Sequence, residues 1–269
     1  MTKYNNIGKD YDSTRLADDY ILERIMTFMG QPKNGLYMDI GCGTGNYASK
    51  LGEKGFRVLG VDPSELMLSI AQEKYPAIEW RMAKAEDTAL EPKSIQGILA
   101  TLTIHHWERL DLAFQEMDRI LMESGQMIIF TSTPQQMEGY WLNHYFPKMM
   151  QKSIAQMPSL ETVGNAISKT NLKIAQIEPY AIHPNLKDHF LYCGKHRPEL
   201  YLEPRIRKGI SSFADLANRE EVEKGLEQLE NDISSGKIHS IISSYDHGHG
   251  DYMFLNLTKG NRLEQIPKR

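Results

Sequence analysis

The feature that most constrains this chain is a glycine-rich segment, Asp39-Ile40-Gly41-Cys42-Gly43-Thr44-Gly45-Asn46. It follows a short apolar run and precedes a helix-compatible run over 47–54, which gives the order strand, turn, helix. Three glycines at alternate positions permit backbone conformations that other residues avoid, and they let a ligand approach the main chain closely. The segment therefore predicts a ligand site at a strand-to-helix turn. An ordinary glycine-rich turn is the alternative.

The spacing of these glycines excludes two common nucleotide motifs. A dinucleotide fingerprint G-x-G-x-x-G that starts at Gly41 requires glycine at 46, where the chain has Asn46. A P-loop that starts at Gly41 requires glycine at 46 and lysine at 47, and neither is present. A G-x-G-x-G turn without a phosphate-binding register suits a nucleoside that carries no phosphate.

A second acid supports this interpretation. Asp62 follows the apolar run 56–61 and lies 19 residues beyond Gly43. In a parallel α/β sheet this position places a carboxylate where it can accept hydrogen bonds from both ribose hydroxyls. The alternative is that Asp62 only caps the helix that begins after Pro63-Ser64.

The rest of the chain alternates between strand and helix patterns joined by short loops. This alternation predicts a parallel sheet wound on both faces, with the ligand crevice at the carboxyl ends of the strands. Asp39, Asp62 and Thr101 all fall on that edge. The predicted elements are helix 13–30, strand 36–40, helix 46–54, strand 56–61, helix 64–74, strand 78–82, strand 95–101, helix 108–122, strand 126–131, helix 159–170, strand 172–181 and strand 251–257.

After Pro134 the chain becomes rich in methionine and aromatic residues. Such a stripe usually packs a core or a lid, and an apolar wall for a substrate is the alternative because methionine adapts to irregular shapes. The residues concerned are Met137, Tyr140, Trp141, Tyr145, Phe146, Met149, Met150 and Met157.

Residues 36–131 resemble the seven-stranded class I S-adenosylmethionine-dependent methyltransferases, and most of all the branch that methylates quinones, natural products and related small molecules. Four segments in this order carry the resemblance: Asp39 to Gly45, Val61-Asp62-Pro63-Ser64, Ile104-His105-His106-Trp107 and Arg119 to Gln126. The resemblance covers about a third of the chain.

The resemblance implies a mostly parallel seven-stranded sheet with an antiparallel last strand, and a helical cap inserted before that strand. The implied division is a cofactor-binding core with an N-terminal helical lid (1–133), a lid segment (134–158), a return helix and strand (159–183), a helical cap (184–244), and a last strand with its tail (245–269).

The same resemblance implies S-adenosyl-L-methionine as the cofactor and assigns roles by position. Gly41, Cys42, Gly43 and Gly45 would pass under its methionine part, with Asp39 orienting the loop, and Asp62 would hold the ribose. Further contacts are implied for Pro63, Met67, Thr101, Tyr11 and Arg15, the last through the methionine carboxylate; capping by Asp12 or Ser13 with a solvated Arg15 is equally compatible. Many relatives have aspartate where this chain has Lys84, which lacks an acceptor. The main chain near Ala85, or Glu86, would therefore contact the adenine.

His105 and His106 are the candidate catalytic residues, because they follow the fourth strand and histidine can remove a proton near neutral pH. A structural role for either one is the alternative. The segment from Asp246 to Asp251 has the composition of a metal cluster, but His and Asp are also ordinary turn residues, and we predict no metal site.

Composition limits the partners. The net charge of −4 argues against nucleic acid and anionic membranes as partners. Two cysteines are too few for a disulfide framework. Neither a signal peptide nor an 18-residue apolar stretch is apparent, so we expect a cytoplasmic monomer or homodimer that does not span a membrane.

The sequence thus predicts methyl transfer to an O, N or C atom of a small, partly apolar metabolite. Methylation of a protein or an RNA is one alternative. A non-catalytic protein that only binds S-adenosylmethionine is another.

Overall fold

The computed structural model describes residues 14–245 and 248–260. Its strands form one seven-stranded mixed sheet in the order β3-β2-β1-β4-β5-β7-β6. The pairs β1-β2, β1-β4, β2-β3 and β4-β5 are parallel, and β7 is antiparallel. The predicted α/β fold with a reversed last strand is therefore confirmed. The strands are β1 (Leu36–Ile40), β2 (Arg57–Asp62), β3 (Glu79–Met82), β4 (Ile95–Thr101), β5 (Leu121–Thr131), β6 (Leu172–Tyr180) and β7 (Tyr252–Lys259).

Among the described residues, an α-helix precedes β1 and follows each of β1, β2 and β4, whereas β3 leads to β4 without one; four helices then lie between β5 and β6, and three between β6 and β7. The helices are α1 (Asp19–Met29), α2 (Asn46–Glu53), α3 (Glu65–Lys74), α4 (Leu110–Ile120), α5 (Pro134–Glu138), α6 (Leu142–Tyr145), α7 (Pro147–Gln156), α8 (Leu160–Ile167), α9 (Pro204–Lys208), α10 (Arg219–Ser234) and α11 (Ile238–Ser244). Short 3₁₀ turns cover Ile104–His106 and Pro198–Leu202, and a π-helical turn covers Ser212–Leu216.

The central strands are apolar along their length because helices cover both faces of a parallel sheet. β4 is buried over its first six residues, and its bounds are those predicted from the sequence. The register pairs Asp39 with Gly60 and Ile40 with Val61. The carboxyl ends of β1 and β2 therefore meet at one edge, as the strand pattern predicted.

The first helix is shorter than the predicted helix 13–30. It begins at Asp19 because Asp18 caps it: Asp18 Oδ1 accepts the N–H groups of Tyr20 at 3.0 Å and Ile21 at 3.1 Å. A carboxylate in that position satisfies donors that have no partner within the helix.

The boundary between α4 and β5 also differs from the prediction of helix to 122 and strand from 126. The strand already begins at Leu121, which has extended backbone angles (φ −72°, ψ 135°). Leu121 pairs with Ile95, and the next pair joins Gln126 to Gly97. The extra residues on β5 form an irregularity of the bulge type, which a helix-like sequence pattern does not reveal.

The described residues divide into two compact units. The described part of the first unit comprises residues 14–21, 132–159, 179–245 and 248–253. The described part of the second unit comprises residues 22–131, 160–178 and 254–260. In the second unit, Phe254 packs against Phe130 and Phe28, with ring centroids 4.7 and 5.8 Å apart. The five-part division predicted from the sequence stays a prediction.

The long connection between β6 and β7 is helical, as predicted, and contains α9, α10 and α11. The methionine and aromatic stripe lies in the first unit. Seven of its eight side chains are buried, and Met157 is half-buried, so the stripe packs a core. Its alternative role as a substrate wall stays a hypothesis. Over residues 14–245 and 248–260, none of the helices combines the length and the apolar character needed to cross a bilayer.

Candidate functional site

The glycine-rich turn after β1 has left-handed backbone angles at each of its three glycines. The φ angles are +72° at Gly41, +54° at Gly43 and +82° at Gly45. The N–H groups of Gly41 and Cys42 both donate to the Val61 carbonyl, at 2.7 and 3.1 Å. The turn is therefore attached to the end of β2, and its glycines are needed because L-residues avoid this conformation.

The three glycines differ in what lies beside them. A Cβ atom at Gly41 would lie 2.0 Å from Thr103 Oγ1, and one at Gly45 would lie 2.3 Å from the Trp80 ring. A Cβ atom at Gly43 would meet nothing within 4 Å. Gly41 and Gly45 are thus required by packing, whereas Gly43 exposes the main chain to open space where a ligand can approach.

Asp62 lies at the end of β2 and connects the turn to the next helix. Its Oδ2 accepts the Gly43 N–H at 3.0 Å, and its Oδ1 accepts the Ser64 N–H at 2.8 Å. Burial raises the pKa of Asp62, and these two N–H donors lower it. Each carboxylate oxygen has two lone pairs, so Asp62 can accept further hydrogen bonds from a ligand. The cap of α3 is Ser64, whose hydroxyl accepts the Met67 N–H at 3.4 Å.

Asp39, the first acid of the glycine-rich segment, is buried inside β1. Burial, and after it the negative charge of Asp62, raises its pKa to about 7, although a hydrogen bond from the Ala48 N–H acts in the opposite direction. Its carboxyl group therefore exchanges a proton near neutral pH. Because Ala48 belongs to α2, the contact joins β1 to the helix that follows the turn.

Cys42, Pro63 and Met67 surround the same turn. The Cys42 thiol donates weakly to the Gly43 carbonyl at 3.8 Å, and burial raises its pKa well above the usual value, so this cysteine is a poor nucleophile. Pro63 is exposed and Met67 is buried. Met82, the register partner of Asp62, is 64% exposed and therefore presents apolar surface at the strand edge.

The charged side chains of the segment after β3 contact the residues just before α4. Lys84 Nζ donates to Glu108 at 2.8 Å, and Glu86 accepts the backbone N–H of Arg109 at 3.0 Å. Ala85, which lies between Lys84 and Glu86 in the sequence, is buried. The prediction that Glu86 or the main chain near Ala85 contacts adenine stays a prediction.

The end of β4 carries a hydroxyl group and two imidazoles. Thr101 Oγ1 is buried and has no hydrogen-bond partner among the described residues. The next residue, Leu102, has a φ of +51°, a strained conformation that is typical of functional sites. His105 and His106 follow on a 3₁₀ turn, with their ring centroids 3.9 Å apart.

Two supporting residues were missed in the sequence. Trp80 lies against Gly45 and Gly60, where a Cβ atom at Gly60 would approach the indole ring to 2.2 Å, and Thr103 lies against Gly41. A large aromatic residue in β3 whose register partner in β2 is a glycine is the signal that would have suggested Trp80.

Comparison with known proteins decides the family. The family model of the methyltransferase domain (Methyltransf_11) matches residues 38–129. A solved structure, a "putative methyltransferase from antibiotic biosynthesis pathway" of Anabaena variabilis, is 34% identical, covers 92% of this chain and 99% of its own, and superposes with a TM-score of 0.80. The chain belongs to the class I S-adenosylmethionine-dependent methyltransferases.

Two curated relatives of this methyltransferase each match less than half of it. An uncharacterized methyltransferase of Alkaliphilus oremlandii is 30% identical over 47% of this chain and 56% of its own length. A ubiquinone/menaquinone biosynthesis C-methyltransferase of Campylobacter jejuni is 29% identical over 38% of this chain and 46% of its own. The chain thus spans about half the length of these relatives.

Of the two site residues predicted near the amino terminus, the structure describes only Arg15. Tyr11, together with Asp12 and Ser13, lies outside the described residues. Arg15 forms an ion pair with Asp188, with Nε 2.6 Å from Oδ1, and its side chain is only 17% exposed. The alternative of a solvated Arg15 is therefore wrong, and the contact between Arg15 and the methionine carboxylate stays a prediction.

The histidine and aspartate segment before β7 is partly described. Asp246 and His247 lie outside the described residues. Asp251 accepts the Ile182 N–H at 2.7 Å and both of its oxygens lie 2.9 Å from Lys195 Nζ. Its carboxylate thus has a structural role. Residues 14–245 and 248–260 contain no group of three or more potential metal ligands.

Proposed function

We propose that this protein transfers the methyl group of S-adenosyl-L-methionine to an O, N or C atom of a small, partly apolar molecule. The observation that carries the proposal is the turn after β1, where Gly43 leaves the main chain open to a ligand and donates its N–H to the buried Asp62. The turn has no phosphate-binding register, and a nucleoside with a ribose but no phosphate fits it.

Each part of the cofactor has a candidate partner in the second unit. Asp62 would accept from the ribose hydroxyls with the lone pairs that Gly43 and Ser64 leave unused. Met67, Pro63 and the exposed Met82 would supply apolar contacts. The unpaired hydroxyl of Thr101 would bond the polar end of the methionine, because a buried polar group is stabilised when a ligand supplies its partner.

The reaction is a displacement at the methyl carbon of a sulfonium, which is already a strong electrophile. The protein has to align the acceptor atom with this carbon and exclude water. For an oxygen or nitrogen acceptor, His105 or His106 would remove the proton of the acceptor, since both follow the strand end that carries Thr101.

Two comparisons favour a small acceptor. The Anabaena structure is assigned to antibiotic biosynthesis, and the Campylobacter relative is a quinone-pathway C-methyltransferase. The net charge of −4 disfavours RNA. The experiment below distinguishes a small acceptor from a protein or RNA acceptor and from cofactor binding without catalysis.

We expect the protein to be located in the cytoplasm.

The test is a methyl-transfer screen with methyl-labelled S-adenosylmethionine against phenols, quinols and amines. We expect label in one class of small molecule, and loss of that activity without loss of cofactor binding in His105→Ala or His106→Ala. Label found only in protein or RNA would contradict a small acceptor. Cofactor binding with no transfer to any class would favour the non-catalytic alternative. His239→Ala, an exposed histidine on α11, is the matched control.

A further inference from the structure

The first unit contains a polar cluster of which only Arg15 has a predicted role at the cofactor. Arg15 and Asp188 form an ion pair and an isolated antiparallel bridge. The next residue, His189, donates its backbone N–H to the Thr14 carbonyl at 2.9 Å. His189 is therefore fixed beside the ion pair by the main chain.

Two buried nitrogen atoms in this cluster have no hydrogen-bond partner among the described residues: His189 Nδ1 and Arg197 Nε. The guanidinium of Arg197 is anchored through Nη2, which donates to the Leu186 carbonyl at 3.4 Å. A buried polar atom without a partner costs about 1–3 kcal/mol. Arg197 Nε always carries a hydrogen, and His189 Nδ1 carries one in one neutral tautomer and in the imidazolium, so both nitrogens can donate to a ligand that accepts hydrogen bonds.

The charges of the cluster favour an anion. Asp188 is neutralised by Arg15, and Glu203 lies 3.7 Å from Arg205. Arg197, in contrast, has no carboxylate within 4.0 Å in the described part of the chain. Burial is the main cause that lowers the pKa of His189; the charges of Arg197 and Arg205 lower it too, and those of Asp188 and Glu203 raise it. Since both acids are paired with other arginines, Arg197 is the cation of this cluster that is left to attract an anion.

We propose that Arg197 and His189 form a binding site for a small oxyanion, either a carboxylate or a phosphate group. A guanidinium presents donors in a plane that matches two oxygens of such a group, and His189 Nδ1–H would donate to it as well. The oxyanion is either part of the methyl acceptor or a separate effector. Both residues lie in the first unit, so the site can be tested without the cofactor.

The first test uses inorganic phosphate at constant ionic strength, followed through the arginine Nε–H and histidine resonances in NMR spectra. We expect saturable shifts of the Arg197 and His189 signals and a rise in the pKa of His189. In Arg197→Gln and His189→Asn, phosphate affinity should fall at least about tenfold, since each loses a charged or buried hydrogen bond.

Two further variants separate binding at this site from misfolding and from a nonspecific effect of positive charge. Arg197→Lys keeps the charge and should fold, yet it should bind phosphate more weakly because it lacks the planar fork. Arg219→Gln removes an exposed arginine of the same unit, paired with Glu223, and should bind phosphate normally. Equal weakening in Arg219→Gln, or no saturable shift at about 10 mM phosphate, would overturn the proposal.

Competition identifies the source of the oxyanion. If saturating S-adenosylhomocysteine abolishes phosphate binding, the site belongs to the carboxylate of the cofactor, and the proposal of a separate site is wrong. If phosphate still binds, the proposal stands. Phosphate that competes with the methyl acceptor then indicates a group on the acceptor, and phosphate that does not compete indicates an effector. Failure of the methyl-transfer screen leaves this binding result unaffected.

Discussion

The backbone N–H of Gly43 donates a hydrogen bond to Asp62 Oδ2 over 3.0 Å, which ties the turn after β1 to the end of β2. The other oxygen of the same carboxylate holds the Ser64 N–H at the start of α3. Asp62 therefore orders the proposed cofactor site even before a ligand binds.

Replacement of Asp62 by asparagine should weaken cofactor binding. The amide keeps one acceptor oxygen but places an NH₂ group against the N–H of Gly43 or of Ser64, and it removes the charge that a ribose would contact. We expect the affinity for S-adenosylhomocysteine, measured by calorimetry, to fall about tenfold or more.

The control for this variant is Asp111→Asn, at an exposed aspartate of the same unit that pairs with Arg109. It should bind the ligand as the wild type does. An unchanged affinity in a folded Asp62→Asn protein would remove Asp62 from the ribose site.

Gly43→Ala should mainly impair ligand binding, whereas Gly45→Ala should mainly lower the free energy of unfolding. Gly43→Ala meets nothing within 4 Å and should fold, at a cost of about 1–2 kcal/mol for the left-handed backbone. Its methyl group then occupies the space proposed for the ligand. Gly45→Ala carries the same backbone cost and also places Cβ 2.3 Å from the Trp80 ring. It should therefore lose more stability, by about 1–3 kcal/mol of overpacking.

Urea unfolding and ligand titration separate these two effects. The expected result is a stable Gly43→Ala protein with impaired ligand binding, and a Gly45→Ala protein with the lower unfolding free energy. If Gly43→Ala binds S-adenosylhomocysteine normally, the ligand does not approach the main chain there.

The raised pKa of Asp39 predicts a pH dependence of stability. Its pKa is about 7 in the folded protein against 3.8 as the reference, so between these values the folded state binds more protons than the unfolded state. The contribution of Asp39 to stability is then most favourable below pH 4 and declines as the pH rises to about 7, by about 1.4 kcal/mol per pH unit at most.

Asparagine at position 39 removes this titration and keeps an acceptor for the Ala48 N–H. As the pH rises from 5 to 8, the unfolding free energy of Asp39→Asn should thus increase relative to that of the wild type, as measured by urea unfolding at each pH. Parallel curves for the two proteins across this range would show that Asp39 does not titrate there.

Lys84 pairs with Glu108 at the surface, with Nζ 2.8 Å from Oε1. Both side chains are more than half exposed, so the pair contributes little to stability. We expect Lys84→Ala to leave both the thermal midpoint and the affinity for S-adenosylhomocysteine unchanged, because adenine contacts would come from the main chain near Ala85. An affinity loss of tenfold or more would mean that the Lys84 side chain contacts the adenine.

The sequence predicted most of the sheet because its buried strands are short, apolar and bounded by turn residues. Strands β1 and β4 have the predicted bounds. The carboxyl ends of three neighbouring strands carry Asp39, Asp62 and Thr101 at one edge of the sheet. Such edge positions follow from topology alone, since parallel strands end together.

The remainder depends on individual contacts that a periodicity pattern does not reveal. The first helix begins only at Asp19 because the neighbouring Asp18 caps it, whereas Arg15 pairs with Asp188, far along the chain. Trp80 determines which residue is tolerated at Gly45. Local sequence patterns do not pair Arg15 with Asp188 or set Trp80 against Gly45, so the roles of the individual glycines could not be separated beforehand.

The most direct test of the account is calorimetric titration of the wild-type protein with S-adenosyl-L-methionine, with Gly43→Ala in parallel. We predict one binding site with a Kd between about 1 µM and 1 mM, in the range of enzyme substrates and cofactors, and much weaker binding in the variant. The absence of saturable heat with the folded wild-type protein at millimolar ligand would contradict the account.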